Sequence, residues 1–368
     1  MQILKIGFII LLILHGLIHL MGFVKAFHIV TVNPLSQSIS KFNGVLWLLT
    51  GFVFLFSAIL LILHQDTWWI PLLVTIALSQ YLLFSSWQDA KYGSIVNIIL
   101  VLVCLLGYFS WSFQGKYKEE VRFRLTQTQS ANETILLESD IQNLPKIVQK
   151  YLLHAGVVGQ PKVRNFKIKF KGQIRKNEQS KWMQFTSEQY NFLDASTRLF
   201  FMKASMNGLP VAGFHSFKGG DAFMDIRLFS IFKVQYQSGA EMGIAETVTF
   251  FNDMCCMAPA TLIDNKIHWL QEDSLKVKAR FTNQGISIEA WLYFNKDGAL
   301  VNFISNDRFA TTESNTMERI PWATPLKDYQ LISGRMLATN ADAVYSYPSG
   351  DFCYGQFQLI QVEYNCTL

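Results

Sequence analysis

SGAEMGIAETVTFFNDMCCMAPATLID, residues 238–264, is the only long helix-like run in the polar two-thirds of the chain. Ile244, Val248, Phe251 and Cys255 recur at spacings of four, three and four, and Met254 and Ala258 widen the same face. That pattern is one apolar stripe of a 3.6-residue helix. Glu246, Thr249 and Asp253 fall on the other side, and Pro259 stands where such a helix would end. Period-two, aromatic-rich segments come before and after it. One helix between two runs of strands predicts a helix laid on an antiparallel sheet.

Towards the N-terminus the composition changes. Residues 1–114 hold only four Lys or Arg (Lys5, Lys25, Lys41, Lys91) and two acids (Asp66, Asp89), and the rest of the chain is close to charge balance. Four apolar runs, Ile3–Val24, Phe42–Leu63, Trp68–Trp87 and Ser94–Phe113, approach the ~20 residues that cross a bilayer core. Trp47, Trp68, Trp69, Trp87, Tyr92 and Trp111 include several at run ends, where an interfacial aromatic belt belongs. The first run is too long for a signal peptide and no A-x-A-like site follows it. His15 and His19 share a helix face inside this run, and intramembrane ionisable groups are functional candidates by default. A metal or haem would need ligands that no other run offers at depth. The plainer expectation is neutral imidazoles bonded to Gln80, Ser79 or Asn97. Asp89 and Lys91 fit an interfacial polar cap.

Gly115–Asp140 is polar, and Val121, Phe123 and Leu125 alternate there as an extended first strand would. LPKIVQKYLLH, residues 144–154, is a short amphipathic helix with Pro145 in its first turn and Gly156 and Gly159 beyond it. Strands follow from Lys162. In FKIKFKGQI, Phe166, Ile168 and Phe170 alternate with Lys167, Lys169 and Lys171, a half-buried strand with a solvated Lys face. After the central helix come Lys266–Glu272, Ser274–Thr282, Ile286–Phe294, Leu300–Arg308, Thr316–Tyr329 and two more strands, with hairpin turns at Asn283-Gln284-Gly285 and Asn295–Gly298. The expected architecture is a membrane α part, 1–114, holding a four-helix transmembrane bundle. A polar join, 115–139, leads to an α+β domain, 140–368. That domain is a large curved antiparallel sheet, a half-barrel, packed on a central helix, with helices near 144–154 and 239–258.

LPKIVQKYLLHAG, ETVTFFNDMCCMAPATLID, PWATPLKDYQ and YSYPSGDFCYGQFQLIQVEYN resemble a family of bacterial multipass membrane proteins of unknown function. HGLIHLMGFVKAF and SSWQDAKYG resemble the membrane region of some of its members, so the likeness covers nearly the whole chain. The family brings no established activity. Its soluble part is similar to the lipoprotein-carrier class of half-barrels, in which a curved sheet closes over helices and the groove between them holds acyl chains. The resemblance, more than the charge pattern, favours a large domain outside the cytoplasm, anchored in a bacterial inner membrane.

No nucleophile elbow, zinc-protease, phosphate-loop or dinucleotide motif occurs, so no catalytic residue, cofactor or metal is assigned. Charge near balance without a clustered basic patch excludes nucleic acid as a partner. The five cysteines show no CxxC pair and no ligand spacing. Asn252 and Asp253 on the central helix, with His215 and Arg308 on strands, are the polar candidates, beside Glu246; Asp225 and Arg227 share a strand face as a local ion pair. Three functions fit. The first is a membrane-anchored domain that binds a lipid or other apolar molecule in a sheet–helix groove lined by Ile244, Val248, Phe251, Met254 and Cys255. The second is a hydrolase- or transferase-like enzyme on a membrane-derived substrate. The third is an assembly or sensor protein acting through its spans on a protein partner.

Overall fold

A computed structural model describes residues 2–128, 134–312 and 316–368. The chain divides into two compact units, Met1–Gly115 with Phe229–Ile231, and Lys116–Leu228 with Phe232–Leu368.

The first unit is helical: α1 (Gln2–Ala26), α2 (Lys41–Ile62), α3 (Trp69–Ser85), α4 (Trp87–Ala90) and the start of α5 (Gly93–Gln127). Ser40 opens α2, its Oγ accepting from the Asn43 amide at 3.2 Å. Three helices, α1, α2 and α5, are long and apolar enough to cross a membrane, where four spans were expected. The exception is α3, at 17 residues. The expected run to Trp87 is broken at Ser86, which leaves the helical region (φ −126°), and Trp87 starts a separate turn. Leu12, Phe54, Leu72, Ile76 and Leu100 form the buried seam of this unit.

The expected strand at Val121–Leu125 is a continuation of α5. Tyr117, Val121 and Leu125 are four apart and all buried, one helical face rather than one side of a strand. The Tyr117 ring meets Phe201 and Phe214 at 5.5 and 5.8 Å. Residues 129–133 of the expected polar join lie outside the described residues.

After α6 (Glu138–Ile141) and α7 (Lys146–His154), six strands run as consecutive hairpins: β1 (Asn165–Ile174), β2 (Met183–Phe192), β3 (Thr197–Met206), β4 (Leu209–Lys218), β5 (Asp221–Leu228) and β6 (Phe232–Ser238). α8 (Ala240–Met257) and a 3₁₀ turn (Pro259–Ile263) lead to β7 (Ile267–Asp273), β8 (Lys276–Asn283), β9 (Ile286–Phe294) and β10 (Leu300–Ser305). The expected Leu300–Arg308 strand stops at Ser305, and β11 (Phe309–Thr311) pairs only with β12 (Met317–Arg319). The expected Thr316–Tyr329 strand is split into β12, β13 (Trp322–Ala323) and β14 (Leu326–Ile332). Pro321 and Pro325 fall at the breaks, where a missing N–H interrupts a ladder. The long β15 (Arg335–Tyr347) and β16 (Gly350–Tyr364) finish the sheet.

Fourteen strands form one antiparallel sheet in the order β6-β5-β4-β3-β2-β1-β16-β15-β13-β10-β9-β8-β7, with β14 added on β15. The two ends of that order, β6 and β7, are consecutive strands, and the segment between them is α8 with its 3₁₀ turn. The helix therefore connects the edges of an open half-barrel. Gly239 (φ +99°) turns the chain from β6 into α8, and a Cβ on Gly243 would lie 2.3 Å from the Gly220 carbonyl, so helix and β4–β5 turn touch backbone to backbone. Phe250 packs on Phe217 of β4, while Phe251 stacks on Phe281 of β8 at 5.2 Å and meets Phe303 of β10 edge-on. Adjacent residues of one helix thus join both wings of the sheet. Phenols satisfy carbonyls at the helix C-terminus: Tyr151 Oη donates to Cys255 O at 2.8 Å and Tyr364 Oη to Met257 O at 2.5 Å.

Candidate functional site

The register of β1–β5 sorts the concave face into rows, because directly opposed residues point the same way. Asn191–Arg198–Phe217–Ala222 is one row, and Gln189–Phe200–His215–Met224 the next. Ser187–Met202–Gly213–Ile226 and Phe185–Ala204–Val211–Leu228 follow, continued on β1 by Phe170 and Gly172. The first row is closed by α8. The last two are apolar apart from Ser187, and Phe170, Ile226 and Leu228 there are only partly buried.

Where the helix gives way to this wall lies a belt of charge. Arg198 Nε donates to Asp253 Oδ2 at 2.8 Å, its Nη1 to Glu246 Oε2 at 3.0 Å and its Nη2 to Gln189 Oε1 at 2.9 Å. Gln189 and Asn191 also donate to Asp253 Oδ2, at 2.7 and 3.1 Å. His215 Nδ1 lies 3.7 Å from Glu246 Oε1. From the opposite wing Arg308 comes within electrostatic reach of Glu246, with its guanidinium 5.5 Å from the Trp322 ring. Burial pushes the Glu246 carboxyl up, but Arg198, His215 and Arg308 outweigh it and hold the pKa at about 2. Burial wins at Asp253, whose pKa is raised against the pull of Arg198, Asn191 and Gln189.

The central helix is buried on both faces. The stripe Val248, Phe251, Met254 and Cys255 is fully closed within the main core, and Ile244 packs at its margin. The side expected to be polar and outward carries Glu246 and Asp253 into the belt, both nearly inaccessible. Asp253 meets Arg198, not Arg308, and Asn252 instead donates to Thr324 Oγ1 at 3.1 Å. Asp225 and Arg227 form a bidentate pair, 2.7 Å at its shortest. The structure thus brings Asp253, His215 and Arg308 around Glu246 and leaves Asn252 aside. Arg198, Gln189 and Asn191 went unrecognised in the sequence; their one signal is polar residues on the inward parity of otherwise apolar strands. Among the described residues no group of three His, Cys, Asp or Glu side chains could hold a metal.

In the helical unit His15 Nε2 lies 3.1 Å from Asn97 Oδ1, while His19 bonds the His15 carbonyl at 2.8 Å and Ser79 Oγ at 2.9 Å. Asn97 donates on to Ser79 and Gln80. Asp89 caps the loop before α2, accepting from the Ser36 and Gln37 amides at 2.7 and 2.9 Å. Cavities open on the second unit. One of about 430 Å³ lies between the β1–β2 and β15–β16 turns, at the same end of the strands as the apolar rows. Another, about 590 Å³, is on the outer face by the last turns of α5, where Lys218 is already paired with Glu120 at 2.7 Å.

An open antiparallel half-barrel, bridged edge to edge by a buried helix and carrying an internal charged belt, is the class these features define. The chain belongs to a family of unknown function, DUF6544, whose model matches residues 134–357, more than half of its length and all of the belt. No curated protein matches it significantly. Among solved structures it is similar to a DUF1329 family protein from Desulfovibrio piger, at 12% identity over 56% of this chain and 88% of that one with a TM-score of 0.32. It is also similar to a beta-barrel-like protein of domain of unknown function DUF1849 from Brucella abortus, at 8% identity over 56% of this chain and 99% of that one with a TM-score of 0.16.

Proposed function

We propose that the chain is a membrane-anchored half-barrel that holds a lipid or other apolar molecule in the concavity beside α8. The observation that carries this is a difference in closure along one inner face. Side chains under the helix, such as Phe166, Phe217 and Phe251, have no exposure, whereas Phe170, Ile226 and Leu228, further along the same apolar face, remain partly open. An apolar concavity left partly open beside a packed core suits an apolar guest. Met202 adds an adaptable contact. The site differs from the α8 stripe, whose side chains are taken up by the core. Anchoring is supported by the first unit, which turns Leu14, Phe52 and Val74 outward and keeps His15, His19, Ser79 and Asn97 inside. That is the arrangement a bilayer asks for.

Gly213 supplies the test. A Cβ there would meet only Ile226 and Met202, each at 3.7 Å, so the backbone accepts a side chain while a longer one fills the concavity. The full chain in phosphatidylcholine nanodiscs is photolabelled with hexadecanol carrying a terminal diazirine. Peptides of β3–β5 should be labelled, and Gly213→Leu should abolish that label without changing the melting temperature. Label confined to α1–α5, or indifferent to Gly213→Leu, refutes the ligand site.

A further inference from the structure

We propose that the guest is an anionic amphiphile, its carboxylate or phosphate head bound by Arg308 and its alkyl chain laid along Phe200, Met202, Val211 and Ile226. This rests on the ligand site above and adds the chemistry of the head group. The belt is an alternating series: Asp253 pairs with Arg198 at 2.8 Å, Arg198 with Glu246 at 3.0 Å, and Glu246 lies in the field of Arg308. The series ends on a cation. Arg308 Nε is buried and has no hydrogen-bond partner among the described residues. A buried charged donor left without an acceptor is costly, and an anionic oxygen is its strongest partner.

The surroundings fix how such an anion would be met. Trp322 lies against the guanidinium, and its Nε1 donates to Tyr354 Oη at 3.2 Å, which anchors the indole. Tyr345 stacks on Tyr354 at 4.9 Å. The Tyr354 hydroxyl is within hydrogen-bonding reach of the same guanidinium, and the unpartnered Nε leaves that edge for a planar or tetrahedral oxyanion. Glu246 joins this end to the wall: His215, 3.7 Å from its carboxylate, shares a row with Phe200, one step from Met202. A head at Arg308 therefore lies beside the row from which the apolar wall begins. Apart from the Ser187 hydroxyl, that wall offers a guest only apolar contacts.

The full chain in phosphatidylcholine nanodiscs is photolabelled with palmitate, hexadecanol and a palmitoyl phosphatidic acid, each with the same terminal diazirine. Wild-type protein should take at least one acid about tenfold better than the alcohol, as one charge-assisted bond implies. Arg308→Gln should equalise acid and alcohol. Palmitate with its diazirine beside the carboxylate should label the peptide carrying Arg308 or Trp322, a measurement that needs no variant and decides the matter if Arg308→Gln loses hexadecanol too. Preference for palmitate alone or phosphatidic acid alone supports the proposal and fixes which head is carried. Equal uptake of acid and alcohol by the wild type, a preference that survives Arg308→Gln, or head-group label elsewhere overturns it while the ligand site stands. Failure of hexadecanol to label β3–β5 removes the ligand site and this inference with it.

Discussion

Glu246 and Asp253 are seven residues apart, two turns along one helix face, and Arg198 reaches both. The surroundings then push them in opposite directions. Glu246 has its pKa held at about 2, so its pairing stabilises the fold fully above its ordinary value of 4.5 and the gain is lost as pH falls towards 2. Glu246→Gln should cost about 3 kcal/mol at pH 7, through the lost shift and the stranded cations. Thermal unfolding of wild type and variant should differ by a constant amount from pH 7 to about 5 and converge in stronger acid. Asp253 has a raised pKa, so its contribution is present below the unfolded value and is lost as pH rises through the folded one. Asp253→Asn removes a buried charge and keeps an acceptor, and it should cost less than Glu246→Gln at pH 7. The reverse order of melting temperatures would refute this assignment. Both acids are visible in the helix pattern, but Arg198 lies 48 residues upstream of Glu246, and nothing local to it points to that partner. Pairing across that distance is decided by register, which local spacing does not encode.

The difference between a closed and an open inner surface belongs to the scale of elements. α8 was legible from its stripe, and β1 from its alternation of Phe and Lys. That the helix would connect β6 to β7, the two edges of the sheet, was not legible, because edge position depends on β1 meeting β16 at the far end of the chain. Proline explains why Thr316–Tyr329 failed as one strand, and the buried set Tyr117, Val121 and Leu125 explains why α5 outlasts its apolar part. Phe251→Ala should cost about 3–5 kcal/mol, since Phe281 and Phe303 hold the ring on two sides and cannot both follow it. Met202→Ala, itself buried but beside the partly open Ile226 and Leu228, should cost about 2 kcal/mol, at the low end for a buried methionine. Tryptophan fluorescence melts of the full chain in mild detergent would compare the two, and equal losses would mean that the wall is as closed as the core.

At the scale of the whole molecule the decisive element is α3. Its 17 residues rise about 25 Å at 1.5 Å per residue, against a hydrocarbon core of about 30 Å. Length alone leaves it at the lower limit for a crossing. Its interior contacts argue for one. Ser79 lies in the second half of α3, accepts from Asn97 and donates to His19 Nε2, whose Nδ1 is committed to the His15 carbonyl, so the polar groups of α1, α3 and α5 satisfy one another without water. Trp68 and Trp69 stand at one end of α3 and Trp87 just beyond the other, where interfacial aromatics settle. If α1, α2, α3 and α5 all cross, topology reporters fused after Lys25 and Lys91 should report one side, and those after Asp66 and Leu368 the other. If α3 does not cross, Asp66 and Lys91 should agree and Leu368 should oppose both. The position of Lys91 therefore decides whether the half-barrel shares a side with the N-terminus, and with it which leaflet could supply an amphiphile to Arg308.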